Sequence, residues 1–266
     1  MSGSDVVVLG GGLAGVAAAQ DLGRHGLRVV VVDRNDYHQF QPLLYQVATS
    51  QLPAEDIARP LRSVFAEQPG VEVVTASVET AKLSDHSLEL ADGGTVAGDY
   101  LVVAAGARPN FFGIPGAAQH AHPLYSVADA ERLRRHLHDQ LLSAEPDAVV
   151  VVGAGATGVE TAGATAELLA ALAHEGHLPN PPEVVLVDRG TALLPQFSAK
   201  AHTYAADRLT EAGVRLRLGV GVAAVRPDGV DLDDGTSIRT GTVVWAGGEA
   251  AAGFVQAAGV PPGAGG

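Results

Sequence analysis

Val6-Val7-Val8-Leu9-Gly10-Gly11-Gly12-Leu13-Ala14-Gly15 decides the fold of this chain, passing from β-branched residues to a glycine cluster and on to alanines. An apolar run without alternation predicts a strand buried on both faces, as in a parallel sheet. The Ala-rich stretch 13–25 predicts a helix, and Val29 to Asp33 a second strand that ends in an acid. Gly10, Gly12 and Gly15 fit the spacing G-x-G-x-x-G. The first glycine permits the tight turn, the second lets backbone approach a diphosphate, and the third lets helix and strand pack closely. The helix N-terminus adds free N–H groups and the positive end of a dipole. Asp33 stands 23 residues past Gly10, where an acid can bond a ribose hydroxyl.

The plan occurs twice. Val149-Val150-Val151-Val152-Gly153-Ala154-Gly155-Ala156-Thr157-Gly158 repeats the first stretch at an offset of 143, Gly10 to Gly153. A helix over 157–173 and a strand from Val184 to Asp188 follow. The second acid lies 35 residues past its glycine, because a longer helix and the loop Gly176 to Pro182 intervene. A second landmark agrees. Asp92-Gly93 followed by Val102-Val103-Ala104-Ala105-Gly106 matches Asp234-Gly235 followed by Val244-Trp245-Ala246-Gly247-Gly248 at an offset of 142. Two landmarks at nearly one spacing indicate a duplicated unit. Alternation and Asp-Gly turns in 71–97 and 214–239 predict a small antiparallel meander in each copy. Leu101 to Ala104 and Thr242 to Trp245 read as the last strands. The linker 117–146 carries a helix from Ser126, which has capping-box spacing to Asp129. The expected class is α/β, two tandem Rossmann-like domains of three-layer ββα build. Their limits are 1–116 and 117–248, with 249–266 starting a return to the first.

The 266 residues suffice for two domains, and 47% apolar with 18% charged residues suits a globular chain. The net charge of −13, without a block of Lys and Arg, argues against nucleic acid and against attraction to anionic lipid. The complete lack of cysteine excludes a disulfide scaffold, a Cys-ligated metal and a thiol relay. The ten histidines show no metal-ligand spacing; His136 and His138, two apart, do not share a helix face. Met-Ser-Gly-Ser-Asp has no cationic start of a signal peptide, and no apolar run approaches the roughly 18 residues of a membrane span. The expectation is cytoplasmic. Two dinucleotide sites in one chain imply electron transfer, commonly from nicotinamide to flavin. The acid-ended strands favour NADH, since a carboxylate repels the 2′-phosphate of NADPH, although Arg34 and Arg189 beside those acids could hold a phosphate.

Between the first copy's strands lies Asn35-Asp36-Tyr37-His38-Gln39-Phe40-Gln41-Pro42-Leu43-Leu44-Tyr45-Gln46-Val47-Ala48-Thr49, then Pro53-Ala54-Glu55-Asp56-Ile57-Ala58-Arg59-Pro60-Leu61-Arg62. By composition this is a polar-aromatic loop leading to a short helix. The string closely resembles the type II NADH dehydrogenases, single-chain FAD enzymes that pass electrons from NADH to a membrane quinone. The likeness extends to Ala104-Ala105-Gly106-Ala107-Arg108-Pro109, Gly158-Val159-Glu160-Thr161-Ala162-Gly163, Leu193-Leu194-Pro195-Gln196-Phe197 and Thr242-Val243-Val244-Trp245-Ala246, and runs from about residue 5 to about 260.

The resemblance implies FAD in the first copy and NADH in the second, with a quinone as acceptor. FAD contacts are implied at Gly10, Gly11, Gly12, Leu13, Ala14, Asp33, Arg34, His38 and, through its backbone, Val78. Gly15, Ala105 and Gly106 complete the candidate FAD positions, and Gly153, Gly155, Thr157, Gly158, Asp188 and Gly247 form the candidate NADH set. Glu160 matches the family glutamate near flavin and nicotinamide, and is the catalytic candidate. Read from residues alone, Glu160 serves equally to stabilise a helix start, and His38 reads as a solvated loop histidine. Tyr45 and Gln46 read equally as packing or as neighbours of a bound ring, and Trp245 as core at a strand end. Family members continue with a Gly-Asp segment, a helix aimed at the flavin, quinone-site residues and an amphipathic membrane anchor. The resemblance therefore implies that this chain is the front part of a longer protein. Membrane contact, on the inner face of the cell membrane, would come only through the segment beyond Gly266; a homodimer stays open. Disulfide reductases and sulfide:quinone oxidoreductases need redox cysteines and are excluded. Ferredoxin and rubredoxin reductases, and a non-catalytic NAD(H)-binding module, stay as alternatives.

Overall fold

The computed structural model describes residues 3–141 and 147–252. Residues 142–146 of the expected linker and 253–266 of the expected return segment lie outside them. In chain order the elements begin with β1 (Ser4–Leu9), α1 (Leu13–Arg24), β2 (Val29–Asp33), β3 (Tyr37–Gln39), α2 (Leu44–Ala48), α3 (Ala54–Ile57), β4 (Ala58–Pro60) and α4 (Leu61–Val64). Next come β5 (Val71–Thr75), β6 (Val78–Lys82), β7 (Ser87–Leu90), β8 (Thr95–Val103) and β9 (Ala107–Pro109). The second half comprises α5 (Ala117–His120), β10 (Ala121–Pro123), α6 (Val127–Leu141), β11 (Val149–Val152), α7 (Ala156–His174), β12 (Val184–Asp188) and α8 (Ala199–Glu211). The strands β13 (Val214–Leu218), β14 (Val222–Arg226), β15 (Gly229–Leu232), β16 (Ser237–Arg239), β17 (Thr242–Trp245) and β18 (Glu249–Ala251) follow. Two units result among the described residues: 3–40, 55–108 and 250–252 in the first, 41–54, 109–141 and 147–249 in the second. Segment 41–54 joins the second unit because α2 packs on α6 and α7. This separates it from the surrounding sequence of the first copy.

In unit 1, β5-β2-β1-β8 form a parallel sheet. One face of it packs on helices: Val6, Val8, Val29 and Val31 meet Ala19, Leu61 and Phe65. On the other face, Val7, Leu9 and Val32 meet Leu88, Leu90 and Val96 of the antiparallel β6-β7-β8 meander. A strand covered on both faces has no use for polar alternation, which is why β1 reads as unbroken valine. Burial of each such valine contributes about 1.5–3 kcal/mol. Strand β8 serves both layers. Its start pairs with β7 and its end, from Gly98, with β1.

Unit 2 repeats the plan with parallel order β10-β17-β11-β12-β13 and a separate β14-β15-β16 meander. Val150, Val152, Val185 and Val187 pack under Val222, Val230, Leu232 and Ile238 of the meander side, while α7 and α8 lie along β12 and β13. Both Asp-Gly turns close alike, with Gly93 and Gly235 each at φ 84°. The expected meanders need one correction. The first strand of each stretch, β5 and β13, extends the parallel sheet instead, because each returns from a helical crossover after the acid-ended strand and pairs in parallel with it. The predicted cap of α6 is present: Asp129 N donates to Ser126 Oγ at 3.1 Å and Ser126 N to Asp129 Oδ2 at 2.8 Å.

Strand β10 brings His122 against His136 of α6, ring centroids 4.2 Å apart. Burial first, then the neighbouring His136 and Arg132, push the His122 pKa down to about 4. The unfolded chain takes up this proton below the ordinary histidine range near 6.5 while the folded chain resists it, so stability falls from about pH 6.5 toward 4. The variant His122→Phe is expected to flatten this acid-side loss. Thermal midpoints at pH 7 and pH 5 check it, and a parent-like slope counts against His122 as the source.

Candidate functional site: two glycine loops and a partly buried glutamate

In unit 1, β1 runs into Gly10 (φ 105°), a value that side chains rarely adopt. A Cβ there would lie 2.2 Å from the Ala104 carbonyl oxygen, and one on Gly15 would lie 1.8 Å from the Gly10 carbonyl oxygen. Glycine is required at both by backbone of the protein itself. Gly12 differs, since a Cβ there meets no atom within 4 Å. The middle residue, Gly11, is clamped on both sides. Its N–H donates to Asp33 Oδ2 at 2.6 Å, and its carbonyl accepts from His38 Nδ1 at 2.9 Å. A carbonyl can only accept, so Nδ1 carries the proton. Asp33 Oδ1 also accepts from Asn35 N at 2.8 Å. His38 is thus tied to the loop rather than solvated. Arg34 lines an open groove of about 520 Å³ with Asn35, Tyr37, Arg62 and Thr75.

Unit 2 reproduces this geometry. A Cβ on Gly153 would lie 2.3 Å from the Ala246 oxygen, one on Gly158 1.8 Å from the Gly153 oxygen, and one on Gly155 would meet nothing. Ala154 takes the clamped position. Its N–H donates to Asp188 Oδ2 at 2.7 Å, while its carbonyl accepts from the backbone of Leu194 at 2.7 Å. Leu194, at φ 51°, does through backbone what His38 does through its ring. Sequence reasoning missed this role, because a backbone donor leaves no mark in residue type. Gly190 N donates to the other oxygen of Asp188 at 2.5 Å. Both acids therefore staple their loops, and a carboxylate with about four lone-pair sites can still accept a ribose hydroxyl.

The helices behind the loops are open at their starts. Neither α1 nor α7 has a side-chain cap at Gly12 or Gly155, and the first helical bonds run from Val16 to Gly12 and from Val159 to Gly155. By contrast, Ser198 caps α8 and Ser126 caps α6. The amides of Leu13, Ala14 and Gly15, and of Ala156, Thr157 and Gly158, precede the first helix bond. Ala105 and Gly106 follow Ala104, the residue on which Gly10 rests. In unit 2, Gly247 lies against the Trp245 indole, whose Nε1 donates to the Asn110 carbonyl at 2.8 Å. Trp245 is core, as expected. Val78, the first residue of β6, packs on the apolar cluster that includes Leu9 and Val32, to which Ala105 also belongs.

The structure corrects the expected setting of Glu160. Helix α7 begins at Ala156, which leaves no acid in its first turn. Glu160 is its fifth residue, beyond the turn where the dipole acts strongly. Burial raises its carboxyl above the ordinary glutamate range, opposite in sign to what a helix start would do. Tyr45 of α2 lies in the same unit. Burial, and next the charge of Glu160, raise its phenol, and Glu167 adds to this; a hydrogen bond with the Gln46 side chain acts the other way. Gln51 Nε2 donates to Glu167 Oε2 at 3.4 Å. Glu160 and Glu167, seven apart, share one face of α7, and the Tyr45–Gln51 stretch lies along it.

The sequence profile described as "Pyridine nucleotide-disulphide oxidoreductase" matches residues 4–266. The chain belongs to that family. It carries the family's paired nucleotide folds with no cysteine, so no disulphide can form within it. It is similar to "Type II NADH:quinone oxidoreductase Ndh" of Mycobacterium tuberculosis, 36% identical over 248 residues, which are 86% of this chain and 53% of the relative. It is also similar to "Internal alternative NAD(P)H-ubiquinone oxidoreductase A1, mitochondrial" of Solanum tuberosum, 30% identical over 257 residues, 86% of this chain and 52% of that one. The chain thus spans about half the length of the curated relatives it matches. Among solved structures, NDH2 of Plasmodium falciparum shares the fold at TM-score 0.87 and 19% identity, over 96% of this chain and 56% of that one. No described helix is long and apolar enough to cross a membrane.

Gly15→Ala and Gly158→Ala each drive a methyl group into a backbone oxygen and are expected to cost about 3 kcal/mol or more. Gly12→Ala should stay within about 1 kcal/mol of the parent. Denaturant midpoints test the contrast; equal losses at Gly12 and Gly15 would refute the close-approach account.

Proposed function

We propose that this chain is the nucleotide-binding part of an NADH:quinone oxidoreductase of the type II kind, with FAD held by residues 1–116 and NADH by 117–248. The observation that carries the reading is the pair of uncapped helix starts. At each, three unbonded amides face a glycine whose missing side chain no protein atom requires. A diphosphate would lie in the open space beside Gly12 and Gly155, where no protein atom lies within 4 Å of an added Cβ. Bound flavin supplies the two-electron chemistry that links nicotinamide to quinone.

The chain's own residues bind and orient. Leu13, Ala14 and Gly15 offer amides to one diphosphate, and Ala156, Thr157 and Gly158 to the other. Asp33 with His38, and Asp188 with Leu194, hold the loops still, so that little ordering is left for the moment of binding. Asp188 disfavours a 2′-phosphate by its charge, which supports NADH over NADPH. Glu160, with its carboxyl raised by burial, can hold a proton nearer neutral pH than a solvated glutamate. In this reading it orients the nicotinamide or manages charge beside the ring. The remainder of the longer protein would provide the quinone site and peripheral attachment to the inner face of the membrane.

Three measurements test this. The chain incubated with FAD should emerge yellow and bleach anaerobically when NADH is added; a colourless chain that binds NADH would instead support a binding module. Gly155→Val should keep the parent's circular dichroism yet lose NADH binding, and retained affinity removes NADH from that loop. Glu160→Gln should slow flavin reduction roughly tenfold or more, and an unchanged rate defeats its assignment. On the longer protein, quinone and iron–sulfur acceptors assayed side by side separate this enzyme from a ferredoxin reductase.

A further inference from the structure

In unit 2, segment 109–113 is strapped to the residues that follow β17. Asn110 N donates to the Gly248 carbonyl at 3.0 Å, and the Trp245 indole Nε1 donates to the Asn110 carbonyl at 2.8 Å. Two adjacent phenylalanines then part. Phe111 anchors the segment, its ring centroid 5.5 Å from that of Trp245 in the unit's core. Phe112 is 61% exposed, and its backbone is left-handed at φ 51°, a conformation that bulky residues rarely adopt. The Asn110 side chain holds it there, since Phe112 N donates to Asn110 Oδ1 at 2.8 Å. The Phe112 ring lies over Gly248, where an added Cβ would come 2.8 Å from its Cζ. Glycine or asparagine would take the same backbone at less cost, so neither core packing nor turn geometry accounts for an aromatic ring here. An observed outlier of this kind points to function.

We propose that the exposed Phe112 ring is a contact for the nicotinamide ring of the coenzyme; this rests on the reading of unit 2 as the NADH site and adds a residue to it. Sheet order sets the side. Strand β11, which leads into the glycine loop, lies between β12 and β17. Asp188 ends β12, so the adenosine ribose goes to that side. With the diphosphate on the start of α7, the other half of the dinucleotide extends toward the end of β17. There Ala246 and Gly247 abut the glycine loop, since a Cβ on Gly153 would lie 2.3 Å from the Ala246 oxygen and 3.0 Å from Gly247 N. Gly248 is the next residue, and the Phe112 ring rests on it. An exposed phenyl ring offers the flat nicotinamide a stacked or edge-on contact, worth about threefold to tenfold in affinity.

The test is direct titration of the chain with NADH and with ADP-ribose, which lacks the nicotinamide, read as the ratio of the two dissociation constants. Phe112→Asn keeps a residue that accepts left-handed backbone and removes the ring. It is expected to weaken NADH about threefold to tenfold and to leave ADP-ribose at the parent value. Its thermal midpoint should stay at or above the parent's, because backbone strain is relieved, so that lost affinity is not lost folding. Phe112→Tyr, which keeps an aromatic ring, should restore NADH binding. Phe112→Leu gives the same readout as the asparagine variant if the latter does not fold. A parent that binds both ligands while the ratio stays unmoved in these variants overturns this inference alone, as does an equal loss of both ligands. A parent that binds neither overturns the reading of unit 2 together with it.

Discussion

Gly10 rests its Cα against the Ala104 carbonyl, and Gly15 rests its own against the Gly10 carbonyl. These two contacts close strand, turn and helix to the distance of bare backbone, and Gly153 and Gly158 make the same pair against Ala246 and Gly153. The close approach brings the helix start beside the sheet's C-terminal edge, where ligands bind in open α/β sheets. With any side chain at these points the helix would have to stand away from the strand. The amides of its first turn would then no longer converge on the loop.

The residue between these glycines is held by means that differ in chemistry and agree in geometry. Gly11 is gripped by the Asp33 carboxylate and the His38 ring, Ala154 by the Asp188 carboxylate and the Leu194 backbone. In both, an acid at the end of the second strand reaches back to the amide of the loop's second residue. The acid therefore has a structural part of its own, since it accepts from backbone amides of its loop.

Glu160 shows how position on a helix separates two readings of one residue. In the first turn a carboxylate gains from the amides and its proton affinity falls. One turn later that gain is spent, and burial dominates with the opposite sign. Tyr45, brought to the same helix by α2, is raised in turn by the glutamate's charge.

The sequence alone determined the duplicated Rossmann-like plan, because valine runs, glycine spacing and acid-ended strands are local consequences of burial, backbone sterics and turn geometry. It also determined the caps and the Asp-Gly turns, which depend on residues two or three apart. Tertiary structure decided the rest. It assigned β5 and β13 to the parallel sheets, gave segment 41–54 to the second unit and moved Glu160 past the helix start. It also tied His38 to Gly11. Each of these depends on atoms brought together from distant parts of the chain, or on where a helix happens to begin, and residue type carries no record of either.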